Sequence, residues 1–481
     1  MEAEEITLKI DDQEVKAKKG TTILDVARKM GLNIPTLCYS SALEPFGACR
    51  LCSVEIVDKR GRKKIVTSCN YPVEEGLIVY TRSEKVTKTR KLLLELLLAR
   101  CPKVKKIQDM AREYGVEKPR FWISDEEEDC VLCGLCTRVC EEKIGLYAIN
   151  FAERGVEREV TAPYHELSDA CIGCGACAIV CPTNSKKLRI NTYPTLPEDI
   201  ERLERKFLTG TKDENLGVYS DIFAAKSTIN GQDGGVATAL LVSGMQKGLF
   251  DTAIVVQRTD GYNAEAIIAE NVDDLLKAKG TKYLRIKMMS KLGELINSGK
   301  RKIAMVGTAC EVRAARKIQE KLLDEFPDLD LNIIGLFCFE AFDYEKLKAE
   351  TQRLMGVDLD EAKKTQIHKG KYIVQIEGKE YSTSVRDMGK AVEKGCVYCD
   401  DFTAKLADIS VGSVGSEDGY STVIVRSEKG KKLLEDLDLS RGTANKEEVA
   451  KLSVLKRNRA KKSFAPIVQD LQLQPPPELS K

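Results

Sequence analysis

Histidine is close to absent: His165 and His368 are the only two in 481 residues. With so little imidazole, histidine-rich zinc, haem and Rieske centres are nearly excluded. The chain also lacks an excess of either charge, since 76 Lys and Arg face 74 Asp and Glu for a net charge of +2. No global field therefore draws it to nucleic acid or a membrane surface. Long apolar runs are missing as well. The best, KLLLELLLA at 91–99, is cut by Glu95, and a spanning helix needs roughly 18–20 residues. The opening MEAEEITL has neither the basic nor the apolar region of a secretion signal, so a cytoplasmic location is expected. No GxGxxG follows a strand-like run, so the usual nicotinamide fingerprint is not visible.

What is abundant is cysteine. Seventeen cysteines in a reducing compartment point to metal rather than to disulfides. The rest of the composition, 43% hydrophobic and 31% charged, is that of an ordinary globular protein, and the length suits about three domains. Residues 4–83 read as strands with one helix. ITLKI and EVKAKKG flank a DDQ turn, TTILDVARKMG is helical, and CSVEIVD, KKIVTS and LIVYT are strands. Residues 84–115 have helical leucine spacing. TYPTLPEDIERLERKF is a linker entering a short helix, with Pro197 in its first turn. From 216 to 440, strands such as TAIVVQ, KIAMVG, LNIIGLF and TVIVR alternate with helical stretches such as ACEVRAARKIQEKLL, the pattern of an α/β domain. The tail QPPPELSK reads as disordered.

The first cysteine group is Cys38-x10-Cys49-x2-Cys52-x16-Cys69. Thiolates two residues apart can share one small cluster, and the small residues of FGACRLC let backbone N–H groups approach the sulfurs. The opening x10 departs from the plant-type x4, and structural zinc is the alternative. The next two groups are Cys130-x2-Cys133-x2-Cys136-x3-Cys140 and Cys171-x2-Cys174-x2-Cys177-x3-Cys181-Pro182. This is the bacterial two-cluster run, in which the fourth cysteine of each run ligates the other cluster. One [4Fe–4S] is therefore assigned to Cys130, Cys133, Cys136 and Cys181, the other to Cys171, Cys174, Cys177 and Cys140. Cys101 stands alone. By spacing, Cys310, Cys338, Cys396 and Cys399 suit a further [4Fe–4S], a zinc site, or buried free cysteines.

Two small-residue loops complete the pattern. In GQDGGVATALL, Gly231, Gly234 and Gly235 permit positive φ and let backbone approach a flat ring or a pyrophosphate. The helix that follows offers unpaired N–H groups to phosphate; a mere turn is the alternative. ISVGSVGS, with Gly412, Ser413 and Gly415, is similar. Lys282 and Tyr283 of GTKY suit a phosphate and a ring, or else a surface lysine and a core tyrosine. KGK at 369–371 and KRNRAKK at 456–462 suit an anionic ligand, though solvated charged faces are the plainer reading.

Residues 4–83 resemble the [2Fe–2S] domain heading the electron-input subunit of respiratory complex I and related hydrogenases. That family continues with a cluster bound by one His and three Cys. Here LLARCPKVKK offers only Cys101, so that cluster is not expected, and Cys101 reads as a buried or unpaired cysteine with a fourth-ligand role left open. GQDGGVATALL, GTKY, VGTACEVRAARK, LFCFE, GCVYCDDFTAKLADISVGSVGS and TVIVR, in this order, look like the beta subunit of the deazaflavin-reducing hydrogenase and deazaflavin-linked formate dehydrogenase of methanogens. Ala309 stands where that family has proline before its cysteine. The resemblance implies one FAD, one [4Fe–4S] on Cys310, Cys338, Cys396 and Cys399, and reaction with the 5-deazaflavin hydride carrier coenzyme F420. It implies FAD contacts from Gly231, Gln232, Asp233, Gly234, Gly235, Val236, Thr238, Thr281, Lys282, Tyr283, Gly412, Ser413 and Gly415. No general acid or base is assigned.

The expected architecture is multidomain α+β and α/β. A β-grasp [2Fe–2S] ferredoxin domain spans 1–83, a helical linker 84–125, a dicluster ferredoxin insert 126–190 and a linker 191–215. A flavin-binding α/β domain follows at 216–440, with an extension at 441–481. One [2Fe–2S] and three [4Fe–4S] groups form a wire for single electrons, and FAD couples it to the two-electron carrier. Such a wire needs a partner oxidoreductase: formate or formylmethanofuran dehydrogenase, or a heterodisulfide-reductase-like module. No nucleic acid and no membrane span are expected. The rival expectations are an NAD(P)H- or ferredoxin-linked flavin reductase and a non-catalytic electron-transfer subunit.

Overall fold

The N-terminal hairpin forms as its sequence predicts. Strands β1 (Glu5–Ile10) and β2 (Gln13–Lys18) pair antiparallel across Asp11 and Asp12, whose φ values of 46° and 67° suit a tight two-residue turn. With β3 (Ser53–Val57), β4 (Lys63–Thr67) and β5 (Ile78–Tyr80) they make a five-stranded sheet in the order β2-β1-β5-β3-β4. The helix Ile23–Lys29, N-capped by the Thr22 side chain, buries Ile23, Leu24, Val26 and Ala27 in the core of this sheet. The computed structural model describes residues 5–58, 60–163, 170–171, 173, 175–185 and 197–470. The expected ligand Cys174 and the tail QPPPELSK lie outside them.

The leucine-rich stretch is two helices, Glu84–Arg100 and Lys105–Glu113, separated where Pro102 interrupts the hydrogen-bond ladder. Cys101 is fully buried between them with Leu94, Leu98, Val104 and Ile107, and burial pushes its thiol up to about 12. It is a core residue. Next come β6 (Asn150–Ala152) and β7 (Glu159–Thr161), an antiparallel pair. The two cysteine runs fold alike: Leu135–Arg138 and Ala176–Ile179 are short helices, each entered through a left-handed glycine, Gly134 at φ 73° and Gly175 at φ 75°. The helix Pro197–Phe207 does begin at its proline. After it, β8 (Thr211–Asp213) pairs with β9 (Gly217–Tyr219).

The α/β domain is built on eight strands. In chain order they are β10 (Asp221–Ser227), β11 (Thr252–Arg258), β12 (Ala264–Ala269), β13 (Lys302–Thr308), β14 (Asp330–Leu336), β18 (Ile409–Gly412), β19 (Ser421–Val425) and β20 (Leu439–Gly442). Between β14 and β18 the chain forms a separate antiparallel sheet, β15 (Lys364–His368), β16 (Lys371–Ile376) and β17 (Lys379–Ser384). The eight lie in the order β12-β11-β13-β14-β18-β19-β10-β20. Strands β11, β13, β14 and β18 run parallel. Because β10 and β18 are both antiparallel to β19, β10 shares their direction.

Alternate residues of the central strands feed two cores, as the period of two requires. Ile254, Ile303, Met305, Leu331 and Ile333 face the helices Met289–Asn297 and Ala309–Leu322, while Ala253, Val255, Ala304 and Ile334 face the helix Val236–Gln246. The C-terminal ends of β10, β13, β14 and β18 therefore lie along one sheet edge. In open α/β sheets that edge is where ligands bind.

Candidate metal centres and cofactor cleft

Each described cysteine set is built so that backbone amides point at sulfur. Cys49 N–H donates to Cys38 Sγ at 3.4 Å, Ala148 to Cys140 at 3.3 Å, Ser185 to Cys181 at 3.3 Å and Ala341 to Cys396 at 3.4 Å. Such bonds stabilise thiolate and tune a bound cluster. In the first set the thiols pair off. Cys49 hydrogen-bonds Cys38 and holds its pKa down to about 6, while Cys69 does the same for Cys52, down to about 7. Two pairs suit two irons taking two thiolates each.

In the first ferredoxin run, a cavity is lined by Cys130, Cys133, Cys136 and Cys181 together with Arg100 and Glu128. Those four thiols come from both runs, in the crossed pattern expected from the spacing. Burial raises Cys133 to about 12, and Cys181 and Cys130 add to it. Cys136 is raised by burial and then by Cys133, Cys177, Cys181 and Cys130, and it shares an apolar cluster with the second run's Cys177. Cys140 and Cys177 pack in the same apolar cluster, and Cys171 sits against the core of the α/β domain.

The last four thiols converge from three chain segments. Thr308 ends β13 and caps the helix Ala309–Leu322 with a capping box to Glu311, placing Cys310 in the first turn with its sulfur 3.2 Å from Thr308 Oγ1. Ala309 occupies the first helical position, where proline is tolerated but not required, so its replacement of the family's proline leaves the turn intact. Thr308→Ala is expected to cost about 1 kcal/mol in urea unfolding, with Thr308→Ser restoring most of it. Cys338 follows β14, its N–H held by Phe402 O at 2.9 Å. Cys396 and Cys399 lie on and just after the 3-10 turn Lys394–Tyr398. Burial raises Cys396 to about 12, and Cys310 and Cys399 push further. Cys338 is raised by burial and by Cys396, Cys310 and Cys399, so the four thiols lie within electrostatic reach of one another. Among the described residues no three His, Cys, Asp or Glu side chains could hold one metal ion.

Three cations seal this set, and two of them correct the solvated reading of KRNRAKK. Lys456 is 2% exposed and donates to Cys338 O at 2.5 Å, while Arg459 donates to Cys396 O at 3.1 Å and Phe339 O at 2.8 Å. Both come from the long helix Lys446–Asp470. Arg285 pairs with buried Glu311 at 3.4 Å. KGK, by contrast, is the exposed turn between β15 and β16.

The glycine loop lies off the same edge, after β10. Its glycines serve packing more than the sequence suggests. Gly235 alone of the three has positive φ, 67°; there a Cβ would overlap Ile229 O and meet Ser227 Oγ at 2.8 Å. At Gly234 it would meet Ser421 N at 2.8 Å, and Gly234 N–H donates to Ser421 Oγ. Gly235 is also the N-cap of Val236–Gln246 and supplies no side-chain cap, which leaves the first N–H groups, Thr238's among them, to another acceptor. Val236 itself is buried in the core, Asp233 is half-buried near Lys364 and His368, and Thr281 is exposed. Lys282 caps Ala278 O, and burial, with Arg258 nearby, lowers its pKa to about 8. Gly412 gives room to the Phe337 ring, and Gly415, at φ 86°, to Val449 and Asn445; Ser413 is exposed.

A run of contacts joins this loop to the cysteines. Gln232 Nε2 donates to Thr365 O at 2.8 Å, Ile367 N–H to Tyr283 Oη at 3.1 Å, and Phe342 N–H to Tyr283 O at 2.8 Å; its neighbour Ala341 holds Cys396. Sequence alone did not reveal Arg285 or Glu311, and it showed Lys456 and Arg459 only as part of a basic stretch.

Comparison with known proteins bears on this arrangement. Residues 222–293 and 300–450 match the N- and C-terminal family models of the coenzyme F420 hydrogenase/dehydrogenase beta subunit. The beta subunit of the coenzyme F420 hydrogenase of Methanococcus voltae is 37% identical over 45% of this chain and 80% of its own length. The chain belongs to the family of the coenzyme F420 hydrogenase/dehydrogenase beta subunit. This beta-subunit-like protein also matches a 2Fe–2S binding domain at 3–84 and a 4Fe–4S dicluster domain at 129–185. The coenzyme F420-dependent sulfite reductase of Methanocaldococcus jannaschii is 35% identical over 69% of the chain. The chain spans about half, 50%, of that relative's length. Among solved structures, the F420-reducing [NiFe] hydrogenase complex of Methanosarcina barkeri has a chain that superposes with a TM-score of 0.51 at 31% identity, over 53% of this chain and 94% of that one. The protein's relatives are thus named as F420-linked oxidoreductases, and they include subunits of larger complexes. No helix among the described residues is long and apolar enough to cross a membrane.

Proposed function

We propose that this chain exchanges hydride between coenzyme F420 and FAD in its α/β domain and passes single electrons to or from a partner oxidoreductase. The observation that carries the reading is the convergence of Cys310, Cys338, Cys396 and Cys399 at the sheet edge that also bears the glycine loop. Cys338 follows β14 and the loop follows β10, three strand spacings apart, or about 14 Å. Four thiols and no imidazole among them are the ligand set that a [4Fe–4S] group takes.

FAD, where bound, converts between paired and single electrons. Gly235 opens the helix N-terminus to its phosphates, with Lys364 near Asp233 of the loop. This reading assigns the FAD contacts to Gln232, Asp233, Thr238, Lys282, Tyr283 and Ser413. Lys456 and Arg285 supply positive charge beside the thiols that would hold the neighbouring cluster. The upstream assignments stand as part of this reading: a β-grasp [2Fe–2S] domain at 1–83 on Cys38, Cys49, Cys52 and Cys69, and two [4Fe–4S] groups at 126–190, the second on Cys140, Cys171, Cys174 and Cys177. So do the linkers at 84–125 and 191–215, the flavin domain at 216–440 and the extension at 441–481. The cysteine load suits a reducing cytoplasm, and the outlet is a partner subunit of a larger redox complex.

Anaerobically purified protein is expected to contain about one FAD and about 14 irons per chain, and to reduce an artificial one-electron acceptor with reduced F420 but not with NAD(P)H. Turnover with nicotinamide alone would replace the substrate, and absence of flavin would leave a passive relay.

A further inference from the structure

Arg138 belongs to the first ferredoxin run, between Cys136 and Cys140, yet its side chain serves another domain. It is 8% exposed. Its Nη2 donates to Cys38 O at 2.6 Å, its Nη1 to Glu44 O, and the guanidinium lies over the Phe46 ring, 5.2 Å from the centroid. Phe46 in turn sits against Gly134, where a Cβ would be 3.1 Å from the ring. Glu44 N–H donates to Glu142 Oε2 at 2.8 Å. The loop carrying the first thiol of the [2Fe–2S] set is thus fastened to the 134–142 run by independent contacts.

The set of Cys140, Cys171 and Cys177 makes the opposite junction. Cys171 rests on the α/β core. Gly145 abuts the side chain of Lys394, two residues before Cys396. Tyr398 meets Phe464 edge-on at 5.0 Å, in an apolar cluster to which every thiol set contributes. The set of Cys140, Cys171 and Cys177 therefore faces the flavin domain, and the set of Cys130, Cys133, Cys136 and Cys181 faces the [2Fe–2S] loop.

We propose that Arg138 is a positioning residue that seats the loop 38–46 on the Cys130, Cys133, Cys136 and Cys181 set, making the relay linear with the [2Fe–2S] group at the end remote from FAD. The inference rests on the reading that each set holds its cluster. At this junction one electron leaves the reduced [4Fe–4S] group, oxidising it by one, and reduces the [2Fe–2S] group by one; no atom or proton moves. Under that reading the electrons come from reduced F420, which gives FAD a hydride and a proton before the pair leaves singly.

The test uses the full cluster-loaded chain. In dithionite-reduced wild type, the [2Fe–2S] EPR signal is expected to be relaxation-broadened by the adjacent reduced cubane. Arg138→Met should lose that broadening at unchanged iron content, and Arg138→Lys should recover part of it. If Arg138→Met loses iron, Phe46→Leu, which trims the ring and keeps every thiol, takes its place. In freeze-quench with reduced F420, Arg138→Met should slow reduction of the [2Fe–2S] signal on the order of tenfold, and a Cys130→Ser/Cys133→Ser variant should abolish it while the C-terminal cubane still reduces. Full-rate [2Fe–2S] reduction in the latter, or unchanged broadening in Arg138→Met, overturns the linear order. Failure of reduced F420 to reduce any centre in wild type counts against the functional reading instead, and the dithionite comparison still decides the geometry.

Discussion

Replacing Cys396 and Cys399 together by serine is expected to remove about four of about fourteen irons and to stop F420-linked reduction of a one-electron acceptor. Serine keeps the shape of the turn Lys394–Tyr398 but is a poor iron ligand. Ala341 N–H, which holds Cys396 Sγ at 3.4 Å, loses its thiolate acceptor, and Lys456 is left buried near fewer thiols. Burial works against this ammonium, and Cys399, Cys338, Cys396 and Asp401 together hold its pKa above the usual lysine value. Without the thiolates a desolvated cation lacks its compensation, which costs about 3–5 kcal/mol for a broken buried pair. Acceptor reduction should fall by more than about 100-fold, a loss that outer-sphere changes alone approach. Flavin bleaching by reduced F420 should persist, because hydride exchange needs only the cleft. Iron analysis and stopped-flow of the flavin separate the two. Full iron content in the double variant would show that these thiols hold nothing.

The reciprocal loss is expected from Gly235→Ala: iron retained, flavin gone. Two penalties combine at this position. The φ of 67° costs a non-glycine residue about 1–2 kcal/mol. The new Cβ also overlaps Ile229 O, and a backbone oxygen cannot rotate away. The loop must open, and the helix Val236–Gln246 loses the entry that leaves its first N–H groups available. Gly378 provides the control, since at φ 81° it has nothing within 4 Å of a Cβ. Gly378→Ala should show the backbone penalty and keep about one flavin per chain. Equal flavin in both variants would remove the glycine loop from the cofactor site.

The meeting of Cys130, Cys133, Cys136 and Cys181 at one cavity was legible because covalent spacing limits which thiols can converge before any packing is known. The strands were legible because TAIVVQ and KIAMVG are apolar runs buried on both faces. The basic helix was not. Val449, Ser453, Lys456, Ala460 and Phe464 are its buried stripe, at spacings of four, three, four and four. Charge hid that period, since a lysine in a stripe reads as surface unless its partner carbonyl, here on Cys338, is known. Arg285 and Glu311 escaped notice for the same reason. Their pairing depends on a contact between distant segments that no local window contains. In the glycine loop the positive φ expected at three glycines is found at Gly235, while Gly234 packs closely on Ser421 and backbone.

The helix Lys446–Asp470 also sets a schedule. Lys456 and Arg459 close over the carbonyls of Cys338 and Cys396, yet they are synthesised well after both cysteines. Domains emerging from the ribosome fold in the order they are made, so the upstream thiol sets can take up their metal while this seat is still open. The set that includes Cys338 and Cys396 is then the last of the described thiol sets to be enclosed.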